Sequence, residues 1–156
     1  MSFVIVDGIF ARSQRRGVVP HELDPALCGV ELQRSKEETR AELEVHRNEF
    51  IYRLTGVDPK SCTPMQYGGL YLELDRELLD EFRSERSVVW IDSGPGAYID
   101  FVSDLSAQIF AYDAQVTGYP VKQLRGLRQG EICSNDPEAD MTLSDLGLVF
   151  EESISA

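Results

Sequence analysis

Three groups of side chains in this sequence combine reactive residue types with suggestive spacing. Asp100 and Asp104 stand four residues apart, so a helix through them would set both carboxylates on one face, as in a metal site or an acid/base pair. Asp136, Glu138 and Asp140 alternate like the opening of a calcium loop. The glycine such a loop needs at its turn is here Met141, however, and its final bidentate glutamate is Gly147, so an EF-hand is rejected. His21 and Cys28 lie in one loop-like stretch and supply the raw material of a nucleophile and its base. Each group also has a plainer reading. Carboxylates four apart are common on solvated helix faces, and His46, on a helix face, reads as a structural histidine.

Other patterns fall short of a site. The run VVWIDSGPGAYIDF places a glycine turn after a strand, the shape of a phosphate cradle. Ile99 breaks GxGxxG, no lysine follows, and Asp92, Asp100 and Asp104 would repel a phosphate, so the run reads as a structural turn. Cys28, Cys62 and Cys133 are odd in number, widely spaced and without a CxxC, which predicts reduced thiols and neither zinc nor disulfides. No metal, cofactor or catalytic residue is expected.

Charge carries more information. Asp and Glu number 27 against 15 Lys and Arg, a net charge of -12 on 156 residues. Residues 1–60 are nearly balanced, whereas 131–156 hold acids and no base. Such a field repels nucleic acid and anionic lipid and favours basic proteins. The basic runs RSQRR and Lys122 to Arg128 are too small to reverse it. Uncharged stretches fall short of the ~18 residues of a membrane span, and the bases near the N-terminus follow the apolar run rather than precede it, so a cytoplasmic protein is expected.

Hydrophobic pattern and turn residues supply the scaffold for these groups. A strand covers 2–6, ending at Asp7-Gly8, and 12–29 is a long loop. Ser35 and Glu38 form a capping box opening a helix over 35–54 with the stripe Leu43, Phe50, Ile51 and Leu54. Leu70, Leu72 and Leu74 alternate as a half-buried strand, and Asp75 caps a short helix over 76–84 that buries Leu78, Leu79 and Phe82. SVVWI at 87–91 is a central strand. The segment 97–114 fits one helix through Tyr98, Phe101, Val102, Leu105, Ile109 and Tyr112 better than a pair of strands. PVKQL reads as a strand, Thr142 and Asp145 as a cap, and 146–150 as a last strand.

These patterns predict one α+β domain over 1–156, with a mostly antiparallel sheet, the main helix 35–54 and one or two further helices packed on it. The expected function is that of an acidic protein-binding protein, an inhibitor or immunity/antitoxin-type partner of a basic, nucleic-acid- or nucleotide-acting protein. It would be a monomer or small homo-oligomer, with Asp100, Asp104, Asp136, Glu138 and Asp140 as partner-binding residues. One alternative is a small hydrolase or transferase built on the 7–29 loop with His21 and Cys28. Another is a secretion or assembly chaperone.

Overall fold

A computed structural model describes residues 3–148. Five short strands, β1 (Val4–Asp7), β2 (Phe50–Leu54), β3 (Ser87–Ile91), β4 (Ile109–Tyr112) and β5 (Glu131–Cys133), lie in chain order across one sheet. Every neighbouring pair is parallel. This overturns the expected antiparallel sheet. Parallel neighbours need a crossover between them, and helical segments supply it: α1 (Ile9–Arg15) and α2 (Pro25–Val45), then α3 (Pro64–Gln66) and α4 (Leu72–Glu81), then α5 (Ile99–Val102), then α6 (Ala114–Thr117) and α7 (Val121–Arg125). β3 is buried along its whole length and β2 at all but Arg53, as parallel strands covered on both faces are.

Strands laid one beside the next, each joined by a crossover of the usual right hand, place all the crossovers on one side. The packing agrees. Val6, Tyr52, Val89, Phe110 and Ile132 share a core with Ile9, Leu43, Leu78, Leu79, Val102 and Leu124 of the helices. The opposite face, with Ile51, Val88, Trp90, Ala111 and Cys133, meets Leu143, Leu146 and Leu148. Leu143 and Leu146 belong to a 3-10 turn, Leu143–Leu146, whose start is held by the Thr142/Asp145 capping box that the sequence suggests.

Several expected elements are displaced. The main helix starts at Pro25, because Asp24 accepts from Leu27 N at 3.0 Å and proline suits the first helical position. It ends at Val45, where His46 leaves helical geometry, and Phe50–Leu54 is β2 rather than the last turns of a helix. Ser35 is not its cap but a buried residue in mid-helix. The expected strand 70–74 is helical, and 97–114 is neither one helix nor two strands: α5 stops at Val102 and β4 begins at Ile109. Between them Arg128 donates to the carbonyls of Ser103, Leu105 and Ala107 and holds the chain out of helical pairing. PVKQL holds α7, and β5 is a strand that the sequence pattern does not announce. Of the expected last strand, Leu146 closes the 3-10 turn, Gly147 and Leu148 lie just beyond it, and 149–150 lie outside the described residues. No helix among the described residues is long and apolar enough to cross a membrane.

Candidate functional site

The stretch from Pro20 to Leu32 is built differently from the rest of the molecule. The inward stripe of α2 is Cys28, Glu31, Ser35, Thr39 and Leu43, so its middle is polar. These groups are satisfied by α1 and the residue after it. Ser13 Oγ donates to Glu31 at 2.8 Å and lies 2.8 Å from Ser35 Oγ, and Arg16 reaches Glu31 at 2.5 Å and Ser35 at 2.7 Å. Arg12 bonds Thr39 and Glu42, and Arg16 also pairs with Glu38. Burial alone would raise the pKa of Glu31, but the hydrogen bonds and charge of Arg16 and the Ser13 hydroxyl outweigh it, and the net shift is downward. The middle of α2 is therefore docked by an ionised seam, with Cys28 and Leu43 buried at the two ends of the stripe, while Leu27 and Val30 are left outside, 56% and 67% exposed.

Beside this face runs a cleft of about 320 Å³ lined by His21, Leu23, Cys28, Gly29, Leu32 and Leu70. Leu70 belongs to a π-helical turn, Tyr67–Tyr71, that joins α3 to α4, and such turns are frequent at functional sites. The turn places Tyr71 under the cleft wall. Its hydroxyl accepts from His21 N at 3.2 Å and meets ring Nδ1 of the same histidine at 2.8 Å, while Phe10 packs against both rings. The structure thus brings His21 and Cys28 to one cleft, as the enzyme alternative requires. Burial, however, pushes the Cys28 thiol up, away from the thiolate that a nucleophile needs, and Nδ1 of His21 is engaged with Tyr71.

A second cluster lies beneath. Asp75 of α4 is 1% exposed and accepts from Tyr52 Oη at 2.5 Å, Ile9 N at 3.3 Å and Tyr67 Oη at 3.5 Å. Burial pushes its pKa up to about 7 against these bonds. The approach is so close at Gly8 that a Cβ there would stand 2.9 Å from the Tyr52 ring and 3.1 Å from Asp75 Oδ1. The cluster closes the first helix onto the sheet; the sequence pattern shows Asp75 as the cap of a helix over 76–84, but α4 begins at Leu72 and Asp75 lies inside it.

The five carboxylates expected to bind a partner are not equivalent. Asp104 pairs with Arg76 at 3.0 Å and Asp140 with Arg125 at 3.0 Å. Asp136 accepts from Glu138 N and from Val121 N of α7, and Asp140 from Ile132 N of β5, so both fasten their loop to its neighbours; these bonds, with Arg125 at Asp140, lower their pKa values. Asp100, on α5, and Glu138 are exposed without an ion pair among the described residues. Asp100 and Asp104 do not share a helix face, since α5 ends at Val102. The glycine turn after β3 offers no free cradle: Gly94 N already donates to Asp58 at 2.7 Å. In parallel sheets ligands sit where the strand order reverses, and the order of the five described strands does not reverse. No group of side chains among the described residues is arranged to hold a metal ion. Comparison with known proteins finds no family model, no curated protein and no solved structure that matches this chain.

Proposed function

We propose that the protein binds a basic protein partner and blocks it, in the manner of an inhibitor or an immunity or antitoxin protein. One observation carries this reading. Almost every cation of the chain is already consumed inside it, while a set of surface carboxylates stands outside every ion pair. Arg12, Arg15, Arg16, Arg34, Lys36, Arg40, Arg47, Arg53, Arg76, Arg83, Arg86 and Arg125 all sit in ion pairs. Arg128 is spent on carbonyls. Glu22, Glu37, Glu85, Asp100, Glu131 and Glu138 are exposed and in no ion pair among the described residues. These six carboxylates display part of the acidic excess at the surface, and a negative surface steers encounter with a positively charged protein.

The test is kinetic. The chain is used as bait in extract of its source cell at low salt, the retained protein is purified, and association is followed against ionic strength. The expected result is a basic partner, a one-to-one complex without partner activity, and an association rate that falls about tenfold or more as the Debye length shrinks to ~8 Å. Reversal of Asp100 and Glu138 to lysine should slow association further at low salt. A rate indifferent to salt, or an acidic partner, overturns the reading.

A further inference from the structure

Net charge selects the kind of partner, and the inverted helix offers the place where it docks. The inward stripe of α2 is polar, and its outward N-terminal half is apolar: Ala26, Leu27 and Val30 face solvent, and Gly29 is exposed beside them. A Cβ added at Gly29 would meet nothing within 4 Å, so the surface has a bare step there on which another backbone can approach closely. On one side of the step lies the cleft with His21, Leu23, Leu32 and Leu70. On the other is a shallow depression floored by Ala26 and Val30 and ended by Gln33, Arg34 and Glu37. Two apolar furrows on either side of a glycine match the ridges of an amphipathic helix, and small residues at the contact let helix axes approach closely.

The rim decides between occupants. Glu22, Asp24 and Glu37 are exposed around the face, and Arg34 is matched by Glu38 at 3.4 Å. A second copy of this chain would bring the same carboxylates against one another, whereas a helix flanked by lysine or arginine would find them complementary. We infer that the outward face of α2 from Pro25 to Glu37, with the adjoining His21–Leu70 cleft, is the docking site for a cationic amphipathic helix of the partner. The inference rests on the basic-partner reading and adds its location and its apolar requirement.

Three synthetic 18-residue peptides test it on the full chain: a cationic amphipathic helix with leucines at helical spacing and lysines on its flanks, a scramble of the same composition, and the amphipathic peptide with glutamate for lysine. Titrations are run at low salt with NMR shift mapping. The cationic amphipathic peptide is expected to bind at least tenfold more tightly than either control and to shift residues 21–37 and Leu70. Gly29→Gln is expected to abolish that preference while leaving the thermal midpoint unchanged or raised, because the added side chain enters open space and leaves a glycine-free turn. Val30→Asp should do the same. If both cationic peptides bind equally, with shifts outside α2, the docking site is wrong and the basic-partner reading survives. If neither binds, both fall. Equal binding of the acidic amphipathic peptide, or self-association that Gly29→Gln removes, overturns the inference in favour of an uncharged groove or a second copy.

Discussion

Asp75 and Glu31 are two carboxylic acids withdrawn from water on two helices that flank the same sheet, 1% and 8% exposed. Asp75 is surrounded by phenolic hydroxyls and a backbone N–H, and burial prevails, pushing its pKa up to about 7. Burial acts on Glu31 in the same direction, but Arg16 and Ser13 reverse the outcome. Asp75 is the more deeply buried of the two and has only neutral partners, whereas Glu31 has a cation beside it; depth and the neighbour's charge together set the protonation state. It also separates two ways of attaching a helix. Helix α4 presses Leu78 and Leu79 into the core around one acid, whereas α2 is held in its middle by ions, buries Leu43 near its end and leaves Leu27 and Val30 exposed.

Titration against pH puts the greatest stress on this contrast. A raised folded pKa means that the folded protein keeps a proton that the unfolded chain releases. The Asp75 contribution to stability therefore declines as pH rises from about 3.9 to about 7, by on the order of 4 kcal/mol, and is flat above. Asp75→Asn should remove that slope in denaturant titrations between pH 5 and 8; parallel profiles for the two proteins would show that Asp75 is not held neutral. Next in size, Leu78→Ala should cost about 3 kcal/mol at any pH, through lost burial and the cavity left behind.

Glu31→Gln comes third, at about 1–3 kcal/mol near neutrality, since a charged hydrogen-bonded pair is lost and Glu38 remains to Arg16. Its pH dependence has the opposite sign: the depressed pKa gives stability that is present above about 4.3 and is lost as pH falls through the folded value. Smallest of all, Leu27→Ser and Val30→Ser should each change stability by no more than ~0.5 kcal/mol while weakening the amphipathic peptide. A large loss of stability from these two would mean that the outer face of α2 is part of the fold.

Legibility in the sequence divides along the same line. The strand 87–91, the burial of Leu78, Leu79 and Phe82, and the Thr142/Asp145 cap are readable because local pattern and tertiary environment agree there. β2 reads as helix because a parallel strand buried on both faces shows no alternation, and it comes after a long run of helix formers. The start of α2 is hidden because its inward stripe is polar, so hydrophobic periodicity points away from the core; Asp24-Pro25 is the available signal. The direction of the sheet resides in the content of the crossovers rather than in the strands. At the candidate site, His21 and Cys28 are visible, but Leu70 and Tyr71 reach them from some fifty residues away along the chain. The acidic excess is equally visible, whereas the arginines that occupy Asp104 and Asp140 are not.

Strands that lie in chain order also keep every sheet pairing between strands consecutive along the chain. Each has its partner one crossover away, so none has to be threaded between partners already joined. The sheet's second face is closed over a longer span of chain. Ile51, Val88 and Trp90 are covered by Leu143, Leu146 and Leu148, which come after β5 in the chain. Until these three leucines pack, that aliphatic and indole surface is bare, an apolar patch open to association with other chains.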